Sequence, residues 1–115
     1  MPNQYLKYLS HILEETRHLA ALAGQMDKDT FMADETAKRA VAASIEIIGE
    51  SALRIPRNVR DSYPRIEWRD IAGLRWKLYR DSPDADYDLA WEYAVNRASL
   101  LHVQIEEVLA EEKGR

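Results

Sequence analysis

Residues 34–54 read Asp-Glu-Thr-Ala-Lys-Arg-Ala-Val-Ala-Ala-Ser-Ile-Glu-Ile-Ile-Gly-Glu-Ser-Ala-Leu-Arg. Ala37, Val41, Ser44, Ile48 and Ala52 recur at steps of three and four, the period of one helix face, and Ala40 and Ile47 flank it. Asp34 is an N-cap candidate, and Glu35 suits the positive end of the helix dipole. Gly49 costs about 1 kcal/mol relative to Ala inside a helix, so its presence implies a close packing contact. The run of Ala40, Ala42, Ala43 and Ser44 permits close approach by a neighbouring helix.

The same period extends in both directions. Upstream, Leu6, Leu9, Leu13, Thr16, Ala20 and Ala23 mark a helix over 4–24, widened by Tyr5, Ile12 and Leu19 and stopped by Gly24. Gln25 to Thr30 reads as a polar turn, with Phe31 and Met32 as anchors. Downstream, Pro56 opens a short helix to about Ser62, and Pro64 breaks the chain. A fourth helix is expected from Glu67 to Tyr79, apolar nearly all round and therefore buried between neighbours or at a subunit contact. After an Asp81–Asp84 loop, Asp84 or Asp86 caps a last helix to about Glu112. Its stripe is Ala90, Ala94, Ala98, Leu101, Ile105 and Val108, and the tail from Glu111 to Arg115 is expected to fray. Nothing alternates with period two, and no hairpin turn occurs. The fold class is all-α: one domain over 1–115, an antiparallel up-down bundle of three long helices and two shorter ones.

Composition narrows the function. The 115 residues contain no Cys, which excludes disulfide scaffolds, thiol nucleophiles and zinc ribbons. No apolar run reaches the ~18 residues of a membrane span, and no signal-like apolar stretch follows Met1. A cytoplasmic protein without membrane contact is expected. The net charge is −4, but it is segregated. Residues 54–80 hold Arg54, Arg57, Arg60, Arg65, Arg69, Arg75, Lys77 and Arg80 against Asp61, Glu67 and Asp70, a local +5 that leaves −9 elsewhere. Such a segment suits phosphate contacts inside an acidic chain.

Metal and cofactor motifs are missing from the sequence. There is no Gly-rich phosphate loop, HExxH or EF-hand. The Glu-x-x-His pairs of a di-iron bundle reduce to Glu15/His18 on an outward face, since Glu14 is followed by Arg17. His11 and His18 lie two turns apart, too far to share a metal. His102 adjoins the last stripe as an edge residue. No metal site and no cofactor are expected.

Two runs carry a family resemblance. Ile45-Glu46-Ile47-Ile48-Gly49-Glu50-Ser51-Ala52 resembles the "EIIGEA" helix of the HEPN superfamily, and Trp68-Arg69-Asp70-Ile71-Ala72-Gly73-Leu74-Arg75 resembles the "WrdIaGmR" run of its HepT-like branch. Asp81, Asp86, Tyr87 and Trp91 then fall in register, and the likeness covers roughly residues 5–112. It implies a helical homodimer and a metal-independent ribonuclease, often the toxin of a toxin–antitoxin pair. It also implies a minimal nucleotidyltransferase antitoxin as partner, able to adenylylate a motif tyrosine. The implied active site is an Arg-x4-His motif supplied by both subunits. There His takes the 2′-OH proton and Arg stabilises the phosphorane.

Arg75 matches the motif arginine, but Trp76 replaces an asparagine, Arg80 takes the histidine position and Ser82 the tyrosine position. Arginine does not serve as a general base. The expected catalytic set is therefore Arg75 and Arg80, with Asp81 or Glu50 as a substitute base. Arg69, Lys77, Trp76 and Tyr79 are expected to bind RNA or phosphate through charge and stacking. Ser82 would be the modification position. Three functions follow: an RNA- or nucleotide-binding homologue with lost or weakened cleavage, an active ribonuclease with another base, or a scaffold dimer without ligand.

Overall fold

In a computed structural model that describes residues 4–114, the chain is all helical, with no strand among the described residues. Helix α1 (Leu6–Ala23) lies against α3 (Glu35–Leu53) and α8 (Ala98–Lys113). The short α2 (Lys28–Ala33) packs on α3, and α4 (Arg57–Asp61) follows α3 in the chain. Helices α5 (Trp68–Ala72), α6 (Leu74–Tyr79) and α7 (Tyr87–Asn96) cover the remaining sides of α3. Leu9, Ile12 and Leu19 of α1, Val41, Ile45 and Ile48 of α3, and Ile105 and Val108 of α8 form a dry centre.

All six stripe residues of the last helical run are buried, whereas the buried line of α1 runs through Leu9, Ile12, Thr16 and Leu19 and leaves Leu6, Leu13, Ala20 and Ala23 half-buried. The buried face of α3 differs in one respect. It widens towards Ile45 and Gly49, while Ala40 and Ile47 are exposed. The Asp34 carboxylate accepts from the Ala37 amide at 3.0 Å and caps α3. Asp86 caps α7 by accepting from the Leu89 amide at 3.1 Å.

Four boundaries depart from the sequence pattern. The polar stretch before Phe31 is not a plain turn. Asp27 accepts from the Thr30 amide and starts α2, and Phe31 is fully buried against Trp91, with ring centroids 5.0 Å apart. The helix expected over Glu67–Tyr79 breaks at Gly73 into α5 and α6, and Trp76 is 66% exposed, so no neighbour within the chain encloses it. The last helix breaks at Arg97, whose φ of −118° departs from the usual helical value. The tail does not fray before Lys113, because Glu112 is 3% exposed and accepts hydrogen bonds from the hydroxyls of Tyr5 and, at 2.6 Å, Tyr63. A carboxylate taken out of water must be hydrogen-bonded, and two phenols from distant parts of the chain provide this. Arg115 lies outside the described residues.

The three histidines are structural or superficial. His11 and His18 are exposed. His102 Nδ1 lies 3.1 Å from the Leu13 carbonyl and 3.0 Å from Thr16 Oγ1. A carbonyl only accepts, so Nδ1 carries the proton and ties α8 to α1. Ser44 donates to Glu15 at 2.7 Å and ties α3 to the same helix.

Gly49 answers to the packing expected of it. A Cβ at that position would stand 3.1 Å from the Ile71 carbonyl oxygen and 3.7 Å from the Arg75 nitrogen. The backbone joining α5 and α6 therefore rests directly on α3. Gly49→Leu is expected to lower the urea-unfolding free energy by about 1–3 kcal/mol, the usual cost of overpacking. Glu112→Ala is expected to cost about 2 kcal/mol by the same measurement, through loss of a buried acceptor shared by two tyrosines. An unchanged midpoint in either variant would show that the contact contributes nothing.

Candidate nucleic-acid interface

Helix α6 is too short to be stable alone, and its buried side consists of Leu74 and Leu78. Their burial fixes the rotation of the helix. Arg75 and Tyr79 then project towards α3, Lys77 projects to the opposite flank, and Trp76 forms the crest between them. The helix ends at Arg80, which adopts the left-handed conformation (φ 45°, ψ 52°), and Asp81 follows with φ 67°. Consecutive non-glycine residues with positive φ are strained, at about 1–3 kcal/mol each. Short backbone bonds hold them there: Arg80 N to Trp76 O at 2.8 Å, Ser82 N to Tyr79 O at 2.8 Å and Asp86 N to Leu78 O at 2.7 Å.

The result is an open groove of about 530 Å³ lined by Glu46, Ala72, Arg75, Trp76, Tyr79, Arg80 and Asp81. Glu46 organises it. Its Oε2 accepts from the Tyr79 hydroxyl at 2.8 Å, and its Oε1 lies 3.8 Å from Arg75 Nε. The hydrogen bond to Glu46 holds the Tyr79 phenol above its ordinary pKa, with desolvation adding to the effect. The Arg75 side chain is two-thirds exposed, and with only this long contact to Glu46 its guanidinium remains open to solvent.

Of the residues expected from sequence, Arg75, Trp76, Tyr79, Arg80 and Asp81 therefore share one groove. Four others lie outside it. Lys77 pairs with Asp70 at 3.4 Å on the far flank of α6. Arg69 is exposed on α5. Ser82 lies past the groove and accepts from the Asp84 amide at 3.2 Å. Glu50 faces a different groove, between α1 and α3, beside His11 and Arg54.

Glu46 was not singled out by the sequence, although a signal was present. Residues three apart share a helix face, whereas adjacent residues are about 100° apart. Gly49 marks the face that touches α6, so Glu46 is the carboxylate turned towards Arg75 and Glu50 is turned away. Among the described residues no cluster of His, Asp or Glu could hold a metal ion, and no helix is long and apolar enough to cross a membrane.

The family model for HepT-like ribonucleases matches residues 12–108, nearly the whole helical body. The chain belongs to the HepT-like family. Three relatives align over most of their length. A putative RNase of Caldanaerobacter subterraneus subsp. tengcongensis is 33% identical over 106 residues, covering 92% of this chain and 95% of the relative. A putative RNase of Methanocaldococcus jannaschii is 29% identical over 115 residues, covering 99% and 95%. A probable ribonuclease HepT of Thermococcus cleftensis is 28% identical over 92 residues, covering 80% and 84%. No solved structure gives a significant match.

Replacing Glu46 by Gln is expected to lower the pKa of Tyr79 towards that of a free phenol, because the ionised acceptor that favours the protonated phenol is gone. Carbon NMR of the Tyr79 ring reads this directly. An unchanged titration would show that the Tyr79–Glu46 bond is not made in solution.

Proposed function

We propose that this HepT-like chain binds RNA through the Arg75–Arg80 groove, with ribonuclease activity lost or weakened. We further propose that it acts in a toxin–antitoxin type system beside a nucleotidyltransferase partner. The observation that carries this is the content of the groove. It offers two guanidiniums and two aromatic rings, and the position where the family resemblance expects a histidine holds Arg80. A cationic, aromatic surface suits phosphates and unpaired bases. Metal-free cleavage also needs a group that removes the 2′-OH proton near neutral pH, and arginine does not do this. Ser82, outside the groove, makes a poor substitute for the tyrosine that such a partner would modify.

A homodimer belongs to the same reading. Ile47 and Leu53 are large apolar residues left exposed on α3, and their burial against a second copy is favourable.

One observation favours retained cleavage. Two carboxylates, Glu46 and Asp81, line the groove beside Arg75, and a carboxylate can serve as a base in RNA cleavage. Glu50, in the neighbouring groove, supports this version less.

The two readings separate in a cleavage and binding assay. The purified protein is expected to bind a single-stranded oligoribonucleotide with an affinity that falls steeply with salt. Arg75→Ala with Arg80→Ala should lower that affinity about tenfold or more, at roughly 1 kcal/mol or more for each charge-assisted contact. Intact protein should leave the RNA uncut, and Arg80→His should increase cleavage. Efficient cutting by the unaltered protein, abolished by Arg75→Ala, would overturn the proposal in favour of the active enzyme. Salt-independent or absent binding would favour a scaffold.

A further inference from the structure

A second cavity lies on the other flank of α6. It is a cleft of about 370 Å³ between α5–α6 and the elbow where α7 meets α8, at the lower end of the range for small-molecule sites. Its floor is apolar, formed by Ile71, Leu74, Leu89 and Leu101. Tyr93 also lines it. This residue is 9% exposed, and its hydroxyl, which keeps contact with solvent, bonds no group among the described residues. Burial pushes its phenol up to about 12, so the group is a neutral donor and acceptor under all ordinary conditions. A hydroxyl that is unpaired and open to the cleft is free to bond an incoming group.

The charges around the cleft distinguish it from the Arg75 groove. Arg97 is paired with Glu67 at 2.9 Å, and Lys77 with Asp70 at 3.4 Å. Arg65 and Glu92 complete a neutral rim. Two of the three cations here are paired and three carboxylates balance them, so the cleft offers an incoming phosphate little. It suits a flat, uncharged ring with donors and acceptors on its edge, which Tyr93, Gln104 and the rim carboxylates can reach. Arg80, on the opposite flank, has no carboxylate within ion-pairing distance among the described residues, and Arg75 has only the 3.8 Å contact. Trp76 stands on the crest between the two sites.

We infer that this cleft takes a nucleobase, an unpaired base of the strand whose phosphates lie against Arg75 and Arg80. The inference rests on the RNA-binding reading above and adds a base-selective subsite to it. A strand crossing α6 would place phosphate on the Arg75 side, stack on Trp76 and turn a base down into the cleft. Single-stranded RNA is recognised in this way, through stacked and splayed bases read on their edges.

The probes are adenosine, guanosine, cytidine and uridine, which carry no phosphate. Each is titrated into ¹⁵N-labelled protein while the amides of Ile71, Leu89 and Gln104 are followed. At least one nucleoside should shift these signals saturably. Tyr93→Phe, which removes only a hydroxyl, should weaken that nucleoside about fivefold, the effect of one hydrogen bond. Leu89→Trp, which fills the cleft, should abolish the shifts while leaving the rest of the spectrum native. Arg80→Glu should leave nucleoside binding unchanged while lowering oligonucleotide affinity. Absence of saturable shifts with all four nucleosides would overturn the inference. So would shifts that persist in both cleft variants. If the oligonucleotide binds in a salt-dependent manner and no nucleoside does, the cleft assignment fails and the RNA-binding reading stands. If nucleosides bind and the oligonucleotide does not, the cleft is a nucleobase site and the reading of the Arg75 groove fails.

Discussion

The approach of one backbone to another at Gly49 sets the rest of the site. With no side chain in the way, the Ile71 carbonyl and the Arg75 amide rest on α3 at van der Waals distance. That contact fixes the height of α6 above the bundle. Burial of Leu74 and Leu78 fixes its rotation. Together they leave Arg75 little choice but to project beside Glu46, and they leave Trp76 without a neighbour. A larger residue at position 49 would lift α6 and separate Glu46 from both of its partners. The helix-propensity cost of glycine is thus offset by the geometry of a groove two helices wide.

Helix periodicity made most of the architecture legible. Ala37 to Ala52 and Ala90 to Val108 lie on buried faces because apolar spacing reports burial directly. Departures occurred where local and distant effects compete. Gly73 and Arg97 interrupt runs whose side-chain pattern is continuous, since a pattern of faces does not register a local change in backbone dihedrals. Glu112 looked like part of a fraying end because its acceptor role depends on Tyr5 and Tyr63, 107 and 49 residues away. Asp27 is a good capping residue, but six residues of helix give too weak a periodic signal to recognise.

The candidate site was half legible. Arg75, Trp76, Tyr79, Arg80 and Asp81 are close in sequence, so their clustering follows from one turn of helix and a tight loop. Glu46 and Glu50 could be separated only once the face touching α6 was known. Lys77 counts towards the basic segment in any tally of charge, yet it faces away and is paired with Asp70. Segregated charge therefore indicated where a polyanion could meet the protein, but side-chain direction decides which cations remain available to it.

The bond between Tyr5 and Glu112 has a topological meaning beyond stability. The two ends of the helical body meet at one buried carboxylate, so the path of the chain is almost a closed ring. A short polar linker can join them without crossing the bundle, and new ends can be opened elsewhere, as circular permutation requires. The exposed Arg97 break, where one helical run already divides into α7 and α8, is the natural place to cut. A permuted chain opened there would keep the Arg75 groove on a continuous segment with α3, while the cleft on the other flank of α6 would be built from both of its ends.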